Sequence, residues 1–367
     1  MNKLSILLFG LTLLLSLIGI FILYESSSYT AFLNIGDKYY FVKNQALWLL
    51  VGIIVCLITA RFNYKLLYGL ALPMLLVTGI LLIIVFIPGI GLELKGSNRW
   101  IDLGFFVLQP SELLKVTLTV YLAAWLSEKE SKRLLAFLIL LGTSTALVAM
   151  EPDMGTAFVV VFTAMFVYFL SGAALKEFVI IGLCVLLSGL ALIKLEPYRV
   201  DRLTAFRSFD PYNLTTTSYH VKQILIALGS GGITGVGFGN SVQKYAYLPE
   251  NTTDSIFAIF AEEAGFVGSV ILMSMFFLHL MLGFLVAARA PDKFSQLLAA
   301  GIITFLGTQT LINIASQLVL MPLTGIPLPF ISYGGSSLII NFASIGLLLS
   351  ISRNIKSGNV HSNRKKR

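Results

Sequence analysis

What most limits the fold of this chain is a succession of apolar runs, each long enough to carry a helix across roughly 30 Å of hydrocarbon, which takes about 20 residues. Backbone N–H and C=O groups in lipid must find partners inside their own segment, so helices are the expected spanning element. The runs fall near 4–24, 41–60, 66–87, 111–127, 134–150, 155–172, 176–194, 255–287, 296–320 and 336–353. Charged residues make up 12% and apolar residues 57% of the 367 positions, whereas an ordinary soluble domain carries roughly 25% charged side chains. A water-soluble surface cannot be built from that. The expected fold class is an all-α integral membrane protein of about ten transmembrane helices, with 1–355 as one polytopic domain and 356–367 as a basic tail. The first run follows Lys3 and lacks a small-x-small cleavage site, so it reads as a retained span rather than a signal peptide.

The formal net charge of +8 does not indicate nucleic acid, because the basic residues are scattered through short loops and one terminal cluster, Arg364 to Arg367. Lys3, the Arg61/Lys65 loop, the Lys129/Lys132/Arg133 loop, Lys176, the Arg289/Lys293 loop and the tail fall on one side of a ten-span scheme. The positive-inside rule makes that side, with both termini, cytoplasmic. The outer side receives 88–110, 151–154, 195–254 and 321–335, and function is expected there.

The large extracytoplasmic loop, 196–253 between helices 7 and 8, is too long to be structureless in a compact protein. Tyr219 to Leu228 has an apolar face broken by His220, Lys222 and Gln223, the pattern of a short interfacial helix. Gly229 to Gly239 holds six glycines without the Gly-Lys-Ser/Thr ending of a phosphate-binding loop, so it reads as flexible backbone at the membrane surface. Cys56 and Cys184 lie in separate apolar runs and have no metal-ligand spacing. The chain shows no inverted repeat of the transporter type.

Ionisable side chains in or at the ends of spans face a cavity or a partner. Asp254 directly precedes a long apolar run and reads equally as a helix N-cap or as a catalytic carboxylate. Glu262 and Glu263, two turns deeper, require bonding partners or a wet cavity. Glu112 and Lys115, spaced i,i+3 after Pro110, form an ion pair that shapes a cavity or touches substrate. Arg99, beside Trp100, is either a bidentate phosphate grip or an interfacial anchor. Asp153 opens a span and is a cap or a cavity group. His279 lies inside a span as a helix-to-helix hydrogen-bonding residue.

Several segments, in order, carry a resemblance: Gly96-Ser-Asn-Arg-Trp-Ile101, Gln109-Pro-Ser-Glu-Leu-Leu-Lys115, Glu151-Pro-Asp-Met-Gly-Thr156, Leu228-Gly-Ser-Gly-Gly232, Leu248-Pro-Glu-Asn-Thr-Thr-Asp-Ser-Ile-Phe-Ala258 and Thr324-Gly-Ile-Pro-Leu-Pro-Phe-Ile-Ser-Tyr-Gly-Gly-Ser-Ser337. Together they closely resemble the SEDS proteins (shape, elongation, division and sporulation) over nearly the whole chain. The resemblance implies a peptidoglycan glycosyltransferase that extends glycan strands from lipid II at the outer face of the bacterial cytoplasmic membrane. It also implies a class B penicillin-binding protein as partner, among other divisome or elongasome membrane proteins. It puts the essential acid on Asp254, and Arg99, Glu112, Lys115 and Asp153 around an outward cavity. It makes Gln109, Ser111, Ser332, Gly334 and Gly335 candidate substrate contacts. One departure is that the family usually has His-Thr-Asp-Phe where this chain reads Thr252-Thr-Asp-Ser255. The segments 218–223 and 243–248 resemble the division-type branch, FtsW, more than the elongation type, RodA.

The implied reaction needs a base for a sugar hydroxyl, for which Asp254 is the candidate. It needs cations for a departing polyprenyl diphosphate, for which Arg99 and Lys222 are candidates. A divalent cation, Mg2+ or Mn2+, suits a diphosphate, although no ligand set in the sequence proves one. A lipid flippase and a polysaccharide ligase are the rival readings. The flippase predicts polar groups through the midplane, whereas here they gather near one face.

Overall fold

The computed structural model describes residues 2–94, 97–104, 106–128, 133–195, 197–207 and 216–364. Expectations that fall on Gly96, the Lys129/Lys132 loop, Glu196 and Lys365 to Arg367 lie outside the described residues. The helices are α1 (Lys3–Ile35), α2 (Tyr40–Arg61), α3 (Leu66–Ile84), α4 (Pro110–Ser127), α5 (Leu134–Met150), α6 (Met154–Leu170), α7 (Leu175–Leu195), α8 (Pro197–Arg207), α9 (Thr216–Gly231), α10 (Ile256–Ala288), α11 (Lys293–Gln317) and α12 (Gly335–Arg364). Ten of them coincide with the apolar runs. The other two, α8 and α9, lie in the long connection between the seventh and eighth runs. Among the described residues six helices are long and apolar enough by themselves to cross a membrane: α1, α2, α3, α10, α11 and the Gly335–Ile355 part of α12. Helices α5 and α6 are apolar but shorter. The chain is a multi-pass membrane protein.

Burial sorts these helices. Over its most apolar window α11 is 94% buried, against 22% for α2 and α3. The first is a central pillar and the other two present most of their surface to lipid. Small side chains make the pillar possible, because Ala299, Ala300, Gly301 and Gly307 let α4, α6 and α10 approach it closely.

Three features differ from the sequence reading. The fold is not purely helical, because β1 (Gly91–Leu94), β2 (Ser97–Asp102) and β3 (Val107–Leu108) form an antiparallel sheet in the order β1-β2-β3. Gly91 is paired with Ile101, which faces Leu108 on the other side. Strands of two to six residues are too short to leave a periodic signature. Second, α1 does not stop near residue 24 but runs to Ile35, ended by Gly36 in the left-handed region at φ 82°. Its polar extension is retained because it has partners: Glu25 meets Lys244, and the Ser26 carbonyl accepts from the Asn251 amide.

Third, the glycine-rich stretch is not loose surface backbone. It is laid into a break in α10, where Gly265 leaves the helical region at φ 67° and ψ −166°. The amides of Val236 and Gly237 donate to the carbonyls of Glu262 and Glu263, and those of Phe266 and Val267 donate to Gly232 and Ile233. Hydrogen bonds that the helix loses at its break are therefore remade with the loop. Only glycine permits the approach, since a Cβ on Gly235 would lie 2.0 Å from the Glu263 carbonyl oxygen. The Glu262 and Glu263 carboxylates accept from the amides of 239 and 241 to 243, and Glu263 pairs with Lys244 at 3.2 Å. These are the bonding partners that two buried acids require. His279 meets the Thr12 hydroxyl at 3.0 Å between α10 and α1.

Candidate active site

At one end of the bundle a cavity of about 770 Å3 opens where α2, α4, α6, α10 and α12 begin. Tyr40 and Asn44, Gln109 and Glu112, Asp153 and Thr156, Asp254, and Gly335 to Ser337 line it from those five starts. Each helix start carries amides that have no intrahelical partner and a partial positive charge, so the wall is predisposed toward an anion before any cation is counted.

Asp254 sits on this wall half-buried. It does not cap α10. The N-cap is Ser255, and no side chain caps that helix start. The turn carrying Asp254 is built on Glu250, held at φ 53°, whose carbonyl accepts from the amides of both Thr253 and Ser255. A second segment, 324–335, clamps the turn from the other side. The Ser332 hydroxyl donates to the Thr253 carbonyl at 2.6 Å, and the Tyr333 amide donates to the Thr252 carbonyl. The Asn313 amide bridges the carbonyls of Asp254 and Ile326. Segments distant in sequence thus fix the backbone turn that carries the carboxylate.

Arg99, on β2, also lines the cavity. Its Nε and Nη2 donate at 2.7 Å to the carbonyls of Glu151 and Pro152, which orients the guanidinium and leaves Nη1 outside these two bonds. Asp153 lines the cavity and also caps α6, accepting from the amide and the hydroxyl of Thr156. Glu151 behind it is fully buried, and no well-aligned hydrogen bond reaches either carboxylate oxygen. Burial first, and then the Asp153 charge, push its carboxyl up to about 8, while Ser111 and Arg99 pull weakly the other way.

The Glu112 and Lys115 side chains form an ion pair of 2.7 Å, both almost fully buried. Lys115 also donates to the Gln309 side chain, whose own amide donates to the Pro327 carbonyl. Glu112 reaches the cavity, whereas Lys115 stands behind it and couples the wall to α11 and to the 324–335 segment. Among the other candidates, Gln109, Gly334 and Gly335 line the cavity. Ser111 is buried behind Gln109, from whose side-chain amide it accepts. Ser332 is spent on backbone, as it also accepts from the Leu328 amide. Lys222 is exposed on α9 and off the cavity wall, two positions and about 200° round the helix from His220, which does line it.

The FtsW/RodA/SpoVE sequence profile, described as cell cycle protein, matches residues 5–357. The chain belongs to this family. Among curated relatives it is 37% identical to stage V sporulation protein E of Bacillus subtilis, covering 95% of this chain and 97% of that one. It is 40% identical to a probable peptidoglycan glycosyltransferase FtsW of Nitrosomonas europaea, covering 95% and 92%. Among solved structures, a chain described under structural coordination of polymerization and crosslinking by a peptidoglycan synthase complex superposes with a TM-score of 0.79 at 28% identity, covering 95% and 97%. The rod shape determining protein RodA of Thermus thermophilus gives 0.70 at 26% identity, covering 95% and 96%.

In this FtsW/RodA/SpoVE protein the lining residues that escaped the sequence reading as site groups include three with charged or imidazole side chains: Arg202, Glu250 and His220. Arg202 donates to the Leu323 carbonyl and is shared with a smaller, mostly apolar cavity of about 200 Å3 beside the first. Its only sequence signal was a place in the long loop. His220 was visible as a break in an apolar helical face.

Proposed function

We propose that this chain is a peptidoglycan glycosyltransferase that polymerises lipid II, with Asp254 as general base. The observation that carries the reading is that Asp254 is not the cap of its helix, yet the backbone turn that carries it is held by segments distant in sequence on the wall of the cavity that Arg99 and Arg202 also line. The 4-hydroxyl of one lipid-linked disaccharide gives its proton to the Asp254 carboxylate as its oxygen bonds to the anomeric carbon of another. The bond from that carbon to the polyprenyl diphosphate breaks, and an α-linked donor becomes a β-linked glycan. Arg99, Arg202 and the helix starts meet the charge gathered by the leaving diphosphate. Among the described residues no three His, Cys, Asp or Glu side chains converge as a ligand set for Mg2+ or Mn2+, so no step here is routed through a metal.

In this reading ten helices span the bacterial cytoplasmic membrane, both termini are cytoplasmic and the cavity faces outward. A class B penicillin-binding protein is the partner, which the solved complex of polymerization with crosslinking supports. Identities of 36 to 40% to FtsW and stage V sporulation relatives, against 26% to RodA of T. thermophilus, support the division or sporulation branch.

The test is Asp254→Asn, purified with its cognate penicillin-binding protein and supplied with labelled lipid II. Because Ser255 holds the cap position, the variant should keep wild-type thermal stability. Glycan strands should fall by the roughly 10²- to 10⁴-fold that general-base assistance supplies. A loss of only twofold refutes the assignment, and lipid transport without glycan ladders in the wild type would favour the flippase.

A further inference from the structure

The Thr252-Thr-Asp-Ser255 turn lacks the imidazole and the ring that the resembling motif carries, yet the structure brings an imidazole to it from another element. His220 of α9 lines the cavity, and its Nε2 is hydrogen-bonded to the Ser255 hydroxyl at 2.7 Å. Ser255 is fully buried and adjoins Asp254. A serine at an N-cap ordinarily turns its hydroxyl to the first-turn amides. Here it makes no such bond and is turned to His220 instead.

The contact is a consequence of how α9 and α10 pack. The two run parallel. At one end Ser230 donates to the Glu262 carboxylate, and Gly231 lies so close that a Cβ there would be 2.3 Å from the Ala261 carbonyl oxygen. In the middle Ile224 and Ala227 are buried with Leu248, Ala258 and Ile259. One turn back from Ile224 is His220, and one turn back from Ile259 is Ser255. The register that buries the apolar residues therefore delivers the imidazole to the turn. Burial holds His220 down to about 4, so near neutral pH it is an uncharged hydrogen-bonding group that adds no second charge beside the base.

We propose that His220 is a positioning residue for Asp254: by fixing the Ser255 hydroxyl it holds the turn from Glu250 to Ser255 in the geometry that presents the carboxylate to the cavity. A phenylalanine at 255 could not accept this contact, so the serine and the histidine act as a pair particular to this version of the motif. The proposal rests on Asp254 being the base.

Four variants, His220→Leu, His220→Gln, Ser255→Ala and the double His220→Leu/Ser255→Ala, are compared with the wild type in glycan synthesis from lipid II, with kcat, KM and melting temperature read for each. Leu keeps the packing of α9 without the bond, and Gln keeps a hydrogen-bonding group. Ser255→Ala removes the hydroxyl without removing a cap bond, because none is made. Expected is a fall in kcat of about tenfold in His220→Leu and in Ser255→Ala, the worth of one hydrogen bond, with KM unchanged. The double variant should be no slower than either single one, and His220→Gln should stay within about twofold of wild type. A wild-type kcat in His220→Leu, additive losses in the double variant, or a His220→Gln as slow as His220→Leu each overturn the proposal. If His220→Leu does not fold, Ser255→Ala with its unchanged helix start still decides the contact. Asp254→Asn is run alongside: should it polymerise normally, the base assignment is what fails. If it is inactive while His220→Leu is normal, only the positioning role falls.

Discussion

Glu151 shows how one side chain can tie a membrane protein's stability to pH. Its carboxyl is fully buried and pushed from the ordinary 4.5 up to about 8, first by burial and then by the charge of Asp153. Between those values the unfolded chain has released the proton while the folded chain still holds it, so stability falls as pH rises through that window and levels off above it. Gln is an uncharged match in shape and leaves intact the 151 carbonyl that Arg99 uses. Glu151→Gln should therefore flatten the dependence and melt higher than wild type at pH 8. Melting temperatures in detergent from pH 5 to 8.5 check this, and an unchanged slope in the variant would exclude Glu151 as its source. At the same scale, the Glu112 to Lys115 pair was legible from i,i+3 spacing alone, but its continuation through Gln309 to Pro327 was not, because those groups lie on other elements.

At the scale of elements, the decisive arrangement is the glycine-rich stretch seated in the break of α10. The loop repairs the helix's hydrogen bonds at Glu262, Glu263, Phe266 and Val267, and the helix's carboxylates repair the loop's. Glycine content announced the segment, and composition alone favoured looseness over insertion. Position now separates the glycines. Gly235, at φ 81° and with Glu263 backbone at 2.0 Å from a built Cβ, leaves no room for a methyl group. Gly229 is helical with nothing within 4 Å. Gly235→Ala should cost about 2 kcal/mol or more from strain and clash together, whereas Gly229→Ala should be neutral or slightly stabilising. Thermal unfolding in detergent distinguishes them, and equal melting temperatures would mean the clamp is not rigid.

For the whole molecule, the cavity lies where every second long helix begins, the arrangement ten alternating crossings produce if α8 and α9 stay on one side. With Cys184 replaced, a cysteine at Lys132 should be labelled only from the cytoplasm and one at Lys38 only from outside. Outward labelling at 132 would overturn the orientation. The sequence by itself determined the helical membrane class and ten of the helices, because the lipid core demands long uninterrupted apolar runs, a local property. It also marked Asp254, Arg99 and Glu112 as site candidates, since ionisable groups at span ends stand out against an apolar background. Only the tertiary structure decided that Ser255 rather than Asp254 occupies the N-cap position of α10, that Ser332 binds backbone, that Lys222 lies off the cavity wall, and that His220 reaches the turn beside Asp254. Those outcomes depend on the register in which distant elements pack. No single segment encodes that register, since burying Ile224 against Ile259 and seating Gly231 on Ala261 fix it jointly.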